Sequence, residues 1–285
     1  MSVTEERTAP PMVGYFGYVR VACAHAVVMM LRRSRLILAA AITLLPVLLP
    51  LALAFLSRTP FSVLGDVTFI RMMEDLYVSI LAPVLALFFA GMLVGEDAEG
   101  QTIAYILTRP LPRSAWIIGR FLAYVFLCSF MLCVSAALVF AGCGSLANLE
   151  FTSEHVLRLL QYCGVLTLAI ASYGALCLFL GTFSKRPIIY GLILLFGWQR
   201  LAIQVPGLVD FLTIQKYLEM LFPKTDVARP RDFFEQTSLG FQKNPILIEK
   251  QDALITLLVI TAVFVALSAI AFRIREYATA RAVGE

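Results

Sequence analysis

The amino-acid sequence predicts an all-α integral membrane protein: a six-helix transmembrane bundle with an N-terminal interfacial helix and a cytoplasmic elbow between spans two and three. Three observations carry that prediction. Apolar residues make up 60% of the 285 positions and charged residues only 15%, well outside the soluble average. Six apolar runs approach the length that a helix needs to cross a bilayer, roughly 20 residues. Arginines gather between alternate runs, as positive charge retained on one side of a membrane would. The runs are too long and too uniformly apolar for the alternating strands of an outer-membrane barrel, and in lipid each must pair its own backbone groups, so helices remain.

Residues 1–35 are expected to form a cytoplasmic N-terminus. Within it, Tyr15, Val19, Ala22 and Ala26 recur at helical spacing ahead of Arg32, Arg33 and Arg35, the pattern of a helix lying in the membrane interface before the first span. A cleaved signal peptide is not expected, because the apolar run after these arginines is too long for an h-region and starts too far into the chain.

The six-span transmembrane domain is placed at residues 36–273. Span one, Leu36 to Leu56, contains Pro46 and Pro50 one turn apart. Each removes a backbone hydrogen bond, so the pair predicts a bend near mid-membrane and is the candidate hinge. Leu76 to Gly95, Ala115 to Ala141 and Leu159 to Leu180 are spans two to four; Ile188 to Ile203, the shortest, is span five, and Ala253 to Phe272 is span six. The outer loop, 206–251, begins with Leu208 to Phe222, apolar enough for an interfacial or re-entrant helix, and continues through Lys224 to Lys243 as a solvated loop broken by Pro230 and Gly240. Residues 274–285 form a cytoplasmic tail.

Orientation follows from the positive-inside rule. The inner segments hold Arg20, Arg32, Arg33 and Arg35, then Arg109 and Arg113, then Lys185 and Arg186, then Arg273, Arg275 and Arg281, whereas the short outer loops hold only Arg58, Arg71 and Arg158. Both termini are therefore expected in the cytoplasm, with the protein multi-pass in the cytoplasmic (inner) membrane.

Several functions are excluded by what the residues lack. The formal net charge of +4 is spread over loops and forms no stripe, so no nucleic-acid partner is expected. His25 and His155 fall at opposite faces, and none of the six cysteines shows CxxC spacing, so no metal site is expected. No GxSxG or HExxH occurs, and the middles of spans two, three, four and six carry no ionisable relay. Pro223-Lys224-Thr225 lacks the glycines of a phosphate-cradling loop, so the chain is not an ATPase and holds no cofactor of its own. Such a bundle is either a passive channel or scaffold, or is driven by a partner pushing on its cytoplasmic face.

The surface suited to a push lies between spans two and three. Gly95 and Gly100 bracket Glu96, Asp97 and Glu99, so the helix can end as its carboxylates reach the cytosol. Ile103, Ile106 and Leu107 form one apolar stripe of a two-turn helix, while Gln101, Thr102, Tyr105 and Thr108 face outward. Arg109-Pro110-Leu111-Pro112-Arg113 cannot continue that helix, and Ser114 is the expected N-cap of span three. The product is a short, stiff elbow, acidic at one end and basic at the other.

The stretch Gly95 to Thr102, followed by Leu107-Thr108-Arg109-Pro110-Leu111-Pro112-Arg113 and Gly119-Arg120, resembles the signature of type-2 ABC transporter permeases. Leu31-Arg32-Arg33-Ser34-Arg35 resembles that family's approach to span one. Gln101 and Arg120 depart from the usual pattern, which has glycine or threonine and lysine there. The resemblance implies an ABC transporter permease subunit that pairs with a second permease copy and docks on two copies of a separate ABC ATPase, which bind the ATP and Mg. The elbow would be the coupling helix, with Glu96, Asp97, Glu99, Gly100, Thr102, Arg109, Pro110 and Arg113 at the ATPase contact. The interfacial helix would be the connecting helix.

The predicted topology is checked by labelling single cysteines in a background free of the native ones. Positions in Lys224 to Lys243 should react with an impermeant reagent outside intact cells, and Ser114 and Arg281 positions should not. The opposite pattern would put the elbow outside, beyond reach of an ATPase.

Overall fold

A computed structural model of the chain describes residues 14–56, 65–93, 112–146, 153–184, 186–199, 212–223 and 249–274. These residues are almost wholly helical. The elements are α1, Tyr15–Met30; α2, Arg33–Leu56; α3, Val67–Leu93; α4, Arg113–Leu146; α5, Ser153–Phe183; α6, Pro187–Trp198; α7, Ile214–Leu221; and α8, Lys250–Ile274.

Four of them, α3, α4, α5 and α8, are long and apolar enough to cross a membrane, and α1 with α2 makes a fifth if that pair, bent by 75°, counts as one span. The helix expected over Tyr15 to Leu31 is present as α1 and turns sharply into α2, which contains Pro46 and Pro50 as expected. Span two starts earlier than the apolar run suggests, at Val67 instead of Leu76, so Arg71, Glu74 and Asp75 lie in helix and not in a loop. Span five is described only over the short α6, and the remainder of its run lies outside the described residues. All six cysteines are free thiols.

α3 is wound unevenly. Met72–Leu81 and Ala86–Ala90 are π-helical, flanking an α-helical turn that carries Pro83. The Ala82 amide reaches back five residues to Tyr77, and that of Gly91 to Ala86. Each wide turn rotates the helix face relative to a 3.6-residue period.

α4 and α5 occupy the middle: α1 and α2 pack on α4, while α3 and α8 pack on α5. α3 has 67% of its most apolar window buried and α8 only 17%, so α8 is a peripheral helix and α3 a central one. The outward residues of α8, such as Ile255, Val259, Val263 and Ile270, are apolar, as are Leu44, Leu45, Leu48 and Leu49 of α2. In lipid such faces need no polar cover.

Water does not drive helices together inside a bilayer, so close packing and interhelical hydrogen bonds must. Both are present. In α2 the proline at position 46 disturbs the backbone ladder of the preceding turn, and Ser135 of α4 donates its hydroxyl to the Thr43 carbonyl there. The Tyr77 hydroxyl of α3 meets the same Ser135 oxygen at 2.6 Å, so one side chain joins three helices. Tyr124 of α4 donates to the Ile170 carbonyl of α5 at 3.2 Å. At Gly119 of α4 the backbone of α1 passes directly above: an added Cβ would stand 2.6 Å from the Val19 carbonyl oxygen and 2.7 Å from Ala22 Cβ.

The ends of the bundle differ in chemistry. At one end Tyr162 donates to Glu74 Oε1 at 3.1 Å, and Gln215 of α7 donates to Ser79 Oγ at 2.8 Å. The Lys250 ammonium at the start of α8 reaches the Phe222 carbonyl just after α7, at 3.1 Å. The other end gathers the start of α2, the end of α3, the start of α4 and the end of α8, and with them Arg32, Arg33, Arg35, Arg113, Arg120 and Arg273. We call it the basic end.

Replacing Gly119 by valine should force α1 off α4 and destabilise the protein by about 1–3 kcal/mol, read as a lower midpoint of thermal unfolding in detergent. Gly164→Ala, where an added Cβ meets nothing within 4 Å, serves as the control and should be neutral or slightly stabilising. Equal effects at the two sites would show that the crossing of α1 and α4 does not depend on close approach.

Candidate partner-docking site

The residues 94–111 include Glu96, Asp97, Glu99, Gly100, Thr102, Arg109 and Pro110, and all lie outside the described residues. What the structure gives is the seat of this connection, since Leu93 ends α3 on one side of it and Pro112 precedes α4 on the other.

The seat is built on Arg120. This side chain stands two turns into α4 and is only 4% exposed. A charge so placed is tolerated when it is spread over several partners, and a planar guanidinium with five donors suits that task. One amino group donates to the carbonyl oxygen of Leu93. The other approaches Met29 Sδ of α1 at 3.7 Å. Below the plane lies the indole of Trp116, one turn back in α4, with the guanidinium carbon 4.0 Å from the ring centroid. Phe272 of α8 stacks on that indole with centroids 5.0 Å apart and the rings 17° from parallel.

Two helix ends and one helix start are tied into this cluster. The last carbonyls of a helix lack partners within it, and Arg120 supplies one to α3 at Leu93. Arg113 does likewise for α8, its Nη1 donating to the Arg273 carbonyl at 3.1 Å. The Tyr15 hydroxyl donates to Ser114 Oγ at 3.1 Å and ties the start of α1 to the start of α4. Both ends of the 94–111 connection are therefore fixed in one cluster with α1 and α8.

Of the expected site residues, Arg113 is the one this cluster contains. Ser114, expected to cap span three, does not: the helix starts at Arg113, and the Pro112 carbonyl accepts from the amides of Ala115 at 3.0 Å and Trp116 at 3.3 Å. Proline ahead of a helix suits this, because its fixed φ sets up the first turn and its missing amide costs nothing there. Trp116, Met29 and Phe272 were not singled out in the sequence. Trp116 and Arg120 had a signal, an aromatic and a cation at i and i+4 inside an apolar run. Phe272 had none, because it meets them from the far end of the chain. Among the described residues, no three His, Cys, Asp or Glu side chains gather closely enough to hold a metal ion.

This arrangement fixes backbone. It holds the ends of four helices around the foot of a connection rich in carboxylates. No curated protein matches the chain. The model of the ABC-2 family transporter proteins matches residues 28–197, from the end of α1 through α6 and including the whole of the 94–111 connection. Members of that family are transporter membrane subunits and are not themselves catalytic, and membership implies an ABC ATPase as partner. With the match extending over more than half of its length, this multi-pass helical membrane protein belongs to the ABC-2 family of transporter proteins.

Proposed function

We propose that the chain is the permease subunit of an ABC transporter in which two copies of a separate ATPase dock on the 94–111 connection of a permease pair and drive a substrate across the membrane. The observation that supports this most directly is the shared anchoring of Leu93, which ends α3, and Arg113, which starts α4, within one cluster that also holds α1 and α8. A loop hinged on independent helix ends would dissipate a push as local bending. One whose two feet are joined passes displacement to α3 and α4 together, and through Trp116 and Phe272 to α8.

The basic end is then cytoplasmic, and the arginines gathered there support that orientation. Glu96, Asp97, Glu99 and Thr102 offer acceptors and a hydroxyl to the ATPase, Gly100 lets the chain turn, and Pro110 with Pro112 keeps the return arm stiff. Arg109 completes a charged rim, while Arg113 holds the end of α8. Pro46 and Pro50 give α2 a weak point at which it can flex while Ser135 keeps it attached to the bundle.

Two variants separate docking from transmission. Glu96→Ala with Glu99→Ala should insert normally but weaken ATPase binding about tenfold or more, since each charge-assisted contact is worth roughly 1–3 kcal/mol. Co-purification of the ATPase at equal membrane levels of permease measures it, and undiminished recovery with normal transport would place the docking site elsewhere. Arg120→Lys keeps the charge but loses the flat surface over Trp116 and the forked donor. It should cost about 1–3 kcal/mol of stability and leave the ATPase bound while less substrate moves per ATP hydrolysed. Wild-type coupling in a correctly folded Arg120→Lys protein would show that the cluster is packing alone.

A further inference from the structure

At the basic end, beside the cluster just described, a groove of about 900 Å³ runs between the start of α2 and the end of α3. Its lining changes character along its length. Arg32, Arg33 and Arg35 line it where α2 begins, and Arg32 and Arg33 are exposed. One turn further into the membrane the lining is Ile37 and Leu38 on one wall and Phe88, Phe89 and Met92 on the other. No acidic side chain is among the described residues that line it.

We infer that this groove binds an anionic phospholipid, its phosphate held by Arg32 and Arg33 and an acyl chain lying along Ile37, Leu38, Phe88 and Met92. The sequence of chemistries matches that class of ligand and few others. A free phosphate or nucleotide would use the arginines and leave the apolar walls empty; an uncharged lipid would leave the arginines unanswered, and a zwitterionic one would offer them its phosphate but bring a second cation beside a cluster that already holds three. Electrostatics favours an anion on a second count. Arg33 and Arg35 stand in the first turn of α2 and Arg32 just before it, with no acidic residue in that turn. Cations at the positive end of a helix dipole are the unfavourable placement, and a phosphate beside them offsets it. The volume is within the 300–1,000 Å³ or so of ordinary ligand sites, enough for a headgroup with part of one chain.

The groove also adjoins the seat of the 94–111 connection. Met30, Arg35 and Met92 line both the groove and a small cavity shared with Leu93 and Arg120. A lipid bound here would stand against the residues that hold the end of α3.

The test uses the purified full-length chain in a mild detergent, titrated with phosphatidylglycerol or phosphatidylcholine and read by native mass spectrometry, so it needs no ATPase and is independent of the coupling proposal. The expected result is one retained phosphatidylglycerol per chain, with phosphatidylcholine about tenfold weaker or more. Arg32→Gln with Arg33→Gln should abolish that preference. Leu38→Trp, which fills the groove and keeps every charge, should weaken both lipids. Inorganic phosphate at millimolar concentration should fail to displace phosphatidylglycerol. An unchanged preference in the double arginine variant would overturn the inference, as would unaltered binding in Leu38→Trp or full displacement by phosphate.

Discussion

The contact between the Arg120 guanidinium and the Leu93 carbonyl is the constraint around which the basic end is organised. A buried arginine is costly unless its donors are met, and a helix end at the edge of lipid is costly unless its carbonyls are. Each need answers the other. For the pair to meet, α1 must bring Met29 alongside, which requires its backbone to pass over Gly119 at a separation that leaves no room for a side chain. The guanidinium must also lie flat, which Trp116 ensures, and Trp116 is in turn fixed by Phe272. Loosening any of these would expose the others.

Further into the bundle the same logic is carried by hydroxyls. Ser135 is a small side chain in the middle of α4, yet it links α2, α3 and α4 through Thr43 and Tyr77. Interhelical hydrogen bonds of this kind in membranes average about 0.6 kcal/mol, so none is decisive alone. Their value is directional: they keep α2, many of whose side chains face outward, at one rotation against α4. The outward-facing helices α2 and α8 are packed along one side on α4 and α5, and the centre, α3 to α5, is enclosed on more sides.

Much of this was legible in the sequence. Uniform apolar runs of about twenty residues leave lipid-spanning helices as the reading, and α4, α5 and α8 lie where their runs predicted. The start of α3 was not legible, because Arg71, Glu74 and Asp75 look like loop residues until Tyr162 is seen to pair with Glu74. Its π-helical turns further break the 3.6-residue period on which pattern reading relies. At the candidate site, local order was readable and long-range order was not. The place of Arg113 at the foot of span three could be read from neighbouring residues, whereas the meeting of Met29, Arg120, Trp116 and Phe272 depends on packing between segments far apart in the chain. Ser114 shows the limit at short range too: a residue with good capping chemistry gave way to a proline two positions earlier.

The stack at Arg120 has an optical consequence. The chain has two tryptophans, Trp116 and Trp198. Trp198 is 44% exposed on α6, so its excited state senses the surroundings of the bundle, whereas Trp116 is buried between a cation and a phenyl ring. Its emission is governed by how closely those two groups approach. The protein therefore contains an intrinsic fluorophore beside the ends of α3 and α8, and movement there can be followed as a change in light without attaching a dye.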